Sequence, residues 1–268
     1  MSQQVYTILL APNPSLMSGP GTNTIILGRD DRDGALVIDP ADAAPAHLEA
    51  IIQEGERRGG LRKILVTHGH PDHVGGAAEL RARLGIPIYA FNRRGVPILD
   101  HEIADGDAFS VGGDTLRAIH TPGHRFDHLC FLLENARVLF AGDHISGITT
   151  NVISPPDGDM FDYLNALRRL QSFEIGEIVP AHGPKVADPQ AKIAEYIAHR
   201  QQREEQILHA MRRLGAGATI QQMVTLVYQD VDPKLHPVAA HSVEAHLLKL
   251  AKEGIVERQG EGWTLKQE

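Results

Sequence analysis

The chain has 268 residues, 42% of them hydrophobic and 22% charged, with a formal net charge of -8. That length suits one large α/β domain plus a small appendage, and no apolar run approaches the roughly 18 residues that a membrane helix needs. The acidic balance argues against a surface devoted to nucleic-acid phosphates, and the lone cysteine, Cys130, excludes an intrachain disulfide.

Apolar runs bounded by turn residues predict strands at Val5–Leu10, Thr24–Leu27, Ala35–Ile38, Ile64–Thr67 and Pro87–Ala90. Further strands are expected at Asp107–Val111, Thr115–His120, Leu129–Leu133, Arg137–Ala141 and Glu177–Pro180. Between them, helical periodicity covers Pro45–Arg58, Asp72–Leu84 (opening after Pro71 and stopping at Gly85) and Phe161–Leu170. Hairpins mixed with strand–helix–strand units imply two layered sheets covered by helices.

From Pro189 the pattern changes. A long charged helix over Gln190–Leu214 precedes helices at Ile220–Tyr228 and Ala240–Glu253, then two short strands at Ile255–Arg258 and Trp263–Leu265. Helix, helix, helix, hairpin is the order of a winged helix. The expected division is residues 1–188 for the layered main domain and 189–268 for a linker helix and winged-helix domain.

Histidine is abundant, with 15 in the chain. What matters is their grouping. His68-Gly69-His70-Pro71-Asp72-His73 sets four potential metal ligands within six residues, after an apolar strand and at the mouth of a helix. Gly69 and Pro71 favour a tight turn, and adjacent Asp72 and His73 diverge so that they can serve different ions. A lone histidine is usually structural; so many polar groups packed together need a shared partner. Thr121-Pro122-Gly123-His124, Ala141-Gly142-Asp143 and Pro180-Ala181-His182-Gly183-Pro184 follow, each at the end of an apolar run. Together they make a set of five histidines and two aspartates.

With these motifs the sequence resembles the metallo-β-lactamase superfamily, an αββα sandwich with a metal site at one edge. The resemblance implies that His68, His70 and His124 hold one ion, that Asp72, His73 and His182 hold the second, and that Asp143 bridges both. It also implies a hydrolase. Two divalent ions roughly 3.5–4 Å apart share a water and lower its pKa toward about 7, which yields a bridging hydroxide, while the second ion polarises the bond to be cut. Imidazole and carboxylate ligands suit two Zn2+, with iron or manganese also compatible. Asp72 is expected to ligate one ion and to accept a hydrogen bond from the attacking water, which makes it the catalytic residue.

Gly19-Pro20-Gly21-Thr22-Asn23-Thr24, the His124 loop with His128, and the segment AKIAEYIAHRQQREEQIL resemble the β-lactamase-like protein 2 branch over nearly the whole chain. That branch carries a C-terminal winged helix and includes an endoribonuclease acting on single-stranded RNA. Its members typically have an aromatic residue where Gly69 stands and Thr-Asp where Arg125-Phe126 stands, so substrate preference does not carry over. The expected substrate is therefore single-stranded RNA or a small-molecule ester, thioester or lactone, with weak β-lactam cleavage as a side activity.

Asn23 and His128 are candidates for substrate contact, His128 alternatively for orienting a ligand. The loop Gly147–Asp159 is either a substrate-facing lip or a surface connection. Tyr196, His199, Arg200 and Arg203 fall at helical spacing and read as a solvated face. From Val186 to the end there are 10 Lys+Arg against 11 Asp+Glu, whereas a winged helix gripping duplex DNA is distinctly basic. A lid or homodimerisation module is the expected role, with no duplex-DNA partner. The first residues show neither a basic start nor a long apolar stretch, so no export signal and no membrane are expected, and the location is cytoplasmic. Two rival readings are a metal-sensing DNA-binding regulator and a single-iron persulfide oxygenase of the same superfamily.

Overall fold

The structure, a computed structural model, describes residues 5–16, 18–29 and 33–266. Its first sheet begins with the antiparallel strands β1 (Tyr6–Leu10), β2 (Asn23–Leu27) and β3 (Ala35–Ile38). Helix α1 (Pro45–Glu56) crosses over to β4 (Leu61–Leu65), which pairs with β3 in parallel. Helices α2 (Pro71–Val74) and α3 (Ala77–Leu84) lead to β5 (Ile88–Ala90) and the two-residue β6 (His101–Glu102), giving the order β1-β2-β3-β4-β5-β6. The second sheet holds β7 (Ala108–Val111), β8 (Asp114–His120), β9 (Leu129–Leu133) and β10 (Val138–Gly142) as antiparallel neighbours. After α4 (Met160–Leu170), strand β11 (Glu177–Pro180) adds to it in parallel with β10. The chain closes with α5 (Pro189–Leu214), α6 (Ile220–Val227), a 3-10 turn, α7 (His236–Lys252) and the ribbon β12 (Val256–Gln259) and β13 (Gly262–Leu265).

Strand periodicity explains the layering. Ile25, Leu27, Leu36, Ile38 and Leu65 face Leu129, Phe131, Leu133 and Phe140 of the second sheet. The alternate residues Ile26, Val37, Ile64 and Val66 pack on Leu48 and Ile51 of α1 and Leu80 of α3. Buried on both faces, these strands read as continuous apolar runs rather than alternating ones. The single helix expected over Asp72–Leu84 is two helices. Gly76 N–H donates to the Pro40 carbonyl at 2.5 Å, and a side chain on Gly75 or Gly76 would strike the carbonyls of residues 40–42. The close passage of that segment breaks the helix.

By compactness the chain divides in two. One unit runs to Thr121 and includes Asp127–Thr150 and Phe173–Gln190; the other comprises Pro122–Phe126, Asn151–Ser172 and everything from Ala191. The second unit has its own core, with Ile207, Met211, Met223, Val224, Val243, Leu247, Leu250 and Trp263 from α5, α6, α7 and the ribbon. Thr219 caps α6 in a reciprocal capping box with Gln222. Among the described residues no helix is long and apolar enough to cross a membrane.

This second core contains a titratable cluster. His246 is fully buried beside Glu204, which pairs with Lys249 at 2.8 Å. Burial lowers the pKa of His246 and outweighs the pull of Glu204. Burial raises Glu204, but its contacts with His246 and Lys249 hold it below its ordinary value. Both folded values lie under the unfolded ones, so each group's stabilisation is present at high pH and is lost as the pH falls. Loss begins as the pH drops through the unfolded histidine value near 6.5 and deepens through the carboxylate range. Trp263, the chain's one tryptophan, sits in this core, so its fluorescence should report a lower urea midpoint at about pH 5 than at about pH 7. An unchanged midpoint would mean that neither group is protonated differently in the two states.

Candidate metal centre

The His68–His73 motif leaves the end of β4 and turns into α2, so its side chains gather at one sheet edge. His68 and His73 are fully buried. Gly69 is needed for close approach: a Cβ there would lie 2.0 Å from the Gly95 carbonyl oxygen. Its N–H donates to Asp127 Oδ2 at 2.9 Å. A side chain larger than hydrogen therefore has no room at this position.

Asp39, just past β3, holds the other side of the turn. Its carboxylate accepts the Thr67 N–H, the Thr67 hydroxyl and His73 Nδ1, all at 2.7 Å. Asp39 is buried and adopts φ +50°, a conformation non-glycine residues rarely take. With Nδ1 committed to Asp39, His73 turns Nε2 inward. That atom is buried and has no hydrogen-bond partner among the described residues. An inward imidazole nitrogen oriented by a carboxylate on its other side is the usual form of a histidine metal ligand.

Asp143 follows β10, and His182 follows β11. Asp143 Oδ1 lies 3.1 Å from His182 Nε2, while Oδ2 lies 3.6 Å from His73 Nε2 and 4.0 Å from His68 Nε2. Asp72 Oδ2 is 3.5 Å from His182 Nε2 and 3.9 Å from His73 Nε2. Two groups result: His68, His70, His124 and Asp143, and Asp72, His73 and His182. Within each, the ligand atoms lie within 4.8 Å of one another. All seven predicted ligands are members. These are imidazole and carboxylate donors with a buried, unpartnered nitrogen among them, a set that fits divalent cations.

The electrostatics point the same way. Burial works against charging His73, but Asp143 and Asp39 outweigh it and raise its pKa well above the usual histidine value. Burial likewise opposes charge on His182, yet Asp143 and Asp72 lift it to about 9. Burial would raise Asp72, whereas His182 and His73 hold it below its ordinary value. The carboxylates thus favour positive charge at this sheet edge.

Asn23 and His128, expected at the substrate, make bonds that hold ligand loops. Asn23 Nδ2 donates to the carbonyls of Pro180 and Gly183, both at 3.0 Å, which brace His182 from either side. His128 Nε2 accepts the Asp143 N–H at 3.0 Å, and its Nδ1 meets Thr121 Oγ1 at 2.9 Å. Both are polar groups tied to backbone beside a candidate ligand. Burial pushes the neighbouring Cys130 thiol up to about 12, against a weaker lowering by Thr121, so it is no nucleophile.

The solvated face expected on α5 is a further correction: Tyr196 and Arg200 are buried. Asp39 and Asp127 went unpredicted. Each has a local signal, Asp39 at an apolar strand's tip before Pro40, and Asp127 between two histidines of the His124–His128 loop.

A family model described as the metallo-beta-lactamase superfamily matches residues 18–182, and one described as the beta-lactamase associated winged helix domain matches residues 219–263. The chain belongs to the metallo-beta-lactamase superfamily, with that superfamily's mixed α/β fold and a C-terminal winged-helix domain, and it is a hydrolase of that superfamily. Within it, the chain is 35% identical over 264 residues to the beta-lactamase-like protein 2 homolog of Drosophila melanogaster, covering 92% of this chain and 87% of that one. It is also 34% identical to an atrochrysone carboxyl ACP thioesterase of Emericella nidulans, covering 89% and 77%. A solved metallo-beta-lactamase family protein from Thermus thermophilus shares the fold at TM-score 0.79 and 22% identity, over 98% of this chain and 99% of that one.

Proposed function

We propose that the chain is a dinuclear zinc hydrolase that cleaves small-molecule esters or thioesters. The observation that carries it is the convergence of His68, His70, His124, Asp143, Asp72, His73 and His182 in two ligand groups, with Asp143 facing members of both. A pair of divalent ions held there would activate water at neutral pH and polarise the bond to be cut. The chain's own residues do the rest. Asp39 fixes the His73 tautomer, and His128 holds the Asp143 backbone. Asp72, kept ionised and less buried than its neighbours, would accept a hydrogen bond from an attacking water.

The thioesterase among the relatives favours an acyl substrate. Likeness to the beta-lactamase-like protein 2 homologues keeps single-stranded RNA as a second reading, which the near-neutral C-terminal segment does not favour. The same segment speaks against a metal-sensing DNA-binding regulator, and a full second ligand group speaks against a single-iron oxygenase. A cytoplasmic setting, with no duplex-DNA partner, belongs to the proposal.

Elemental analysis should find two zinc ions per chain, and a screen of thioesters, esters, lactones, single-stranded RNA and a chromogenic β-lactam should find its fastest turnover among the acyl compounds. One iron per chain would overturn the dinuclear reading. RNA cleavage without acyl turnover would move the substrate to a phosphodiester.

A further inference from the structure

His124 belongs to the same compact unit as the winged helix, and its surroundings there are specific. Its Nδ1 bonds the Val152 carbonyl at 2.9 Å, which leaves Nε2 as the nitrogen available to a metal. Val152 lies in an irregular segment, residues 151–159, that is tied at both ends by helices of this unit. At one end Arg200 of α5 donates to the Asn151 carbonyl, next to Val152. At the other, Lys252 of α7 pairs with Asp159 Oδ2, while Asp159 Oδ1 caps α4 through Phe161 N–H at 2.9 Å and Asp162 N–H at 3.1 Å.

The segment in turn grips the histidine's own loop. Asp159 N–H donates to the Gly123 carbonyl at 2.8 Å. Gly123, at φ +137°, touches the backbone of Tyr163, where a Cβ would come within 2.3 Å of Tyr163 Cα. The Arg200 guanidinium lies 5.4 Å from the Tyr163 ring centroid. Burying an arginine is costly unless its charge is used. Here it is used on the ring and the carbonyl that set where His124 stands.

From these contacts we infer that the C-terminal unit is a holder for one metal ligand, and that Arg200, with Lys252 in support, is a positioning residue for His124. The inference rests on His124 being a ligand, as proposed above. It gives the winged helix a task that needs no nucleic acid, which agrees with its 10 basic against 11 acidic residues from Val186 onward. Loosening Arg200 frees the Asn151–Val152 peptides, lets the His124 ring turn, and would weaken an ion that His124 holds.

The test compares wild type, Arg200→Ala, Arg200→Lys, Lys252→Met and His124→Ala as full-length protein loaded with Zn2+ or Co2+. Metal retention is read by chelator competition, site geometry by the Co2+ absorption spectrum, and folding by Trp263 fluorescence. Arg200→Ala should lose affinity for one of two ions by about ten- to a hundredfold, the range typical for removing a ligand's orienting partner. Its cobalt spectrum should change, while Trp263 fluorescence should still report a folded C-terminal core. Arg200→Lys, which keeps a charged donor, should recover part of the affinity, and Lys252→Met should shift it in the same direction by less. Lys252 is half exposed, so that variant decides the matter if Arg200→Ala does not fold. Wild-type affinity and spectrum in both variants, alongside loss of one ion in His124→Ala, would overturn the positioning role. Retention of both ions by His124→Ala would instead overturn the ligand assignment.

Discussion

Asp143→Ala should reduce turnover of any substrate found by more than about a thousandfold, which corresponds to ~4 kcal/mol of lost transition-state stabilisation. It should also lower the metal content below two ions per chain. The reason is positional. Among the described residues Asp143 is the one carboxylate whose two oxygens face histidines of both groups, at 3.1 Å to His182, 3.6 Å to His73 and 4.0 Å to His68. Removing it takes a carboxylate from the first group and a close neighbour from the second, and leaves buried histidines with less negative charge around them. Elemental analysis and steady-state kinetics on the same preparation check both halves. Full activity with one ion would reject the two-ion scheme outright.

Asp39→Asn should be the most damaging change at a residue outside the ligand set. The carboxylate accepts three donors: the Thr67 N–H, the Thr67 hydroxyl and His73 Nδ1. An amide keeps the shape but turns one acceptor into a donor. If that NH2 faces His73, the ring must present its Nδ1 lone pair, which moves the proton to Nε2 and removes the ligand. Affinity for the ion at Asp72, His73 and His182 should fall about ten- to a hundredfold, with up to ~1–3 kcal/mol of stability lost from imperfectly matched buried donors. Competition titration with a chelator measures the first and urea unfolding the second. Unchanged zinc affinity would show that the His73 tautomer does not depend on Asp39.

The pairing of these two residues shows what could be read before folding. Asp143 was legible because Gly-Asp at the end of an apolar run completes a pattern of strand-tip ligands in chain order. Asp39 stands at a strand tip too, but it is no ligand, and its importance lies in bonds to Thr67 and His73, 28 and 34 positions away. The sequence marks Asn23 and His128 as candidates for substrate contact, yet which way each side chain turns is decided by carbonyls and N–H groups of other loops.

The sequence alone determined the class of fold, the order of the winged helix, all seven candidate ligands and the mixed imidazole–carboxylate chemistry, because these are carried by local periodicity and by residue types that have few other uses. Only the tertiary structure decided that Asp72–Leu84 breaks at Gly75-Gly76 against the Pro40 carbonyl, that Gly69 must stay small beside Gly95, and that Arg200 is buried on Asn151, 49 residues away. Spacing along a helix tells which residues share a face. It does not tell what covers that face, since burial of a charged group is set by a partner that folding alone brings near.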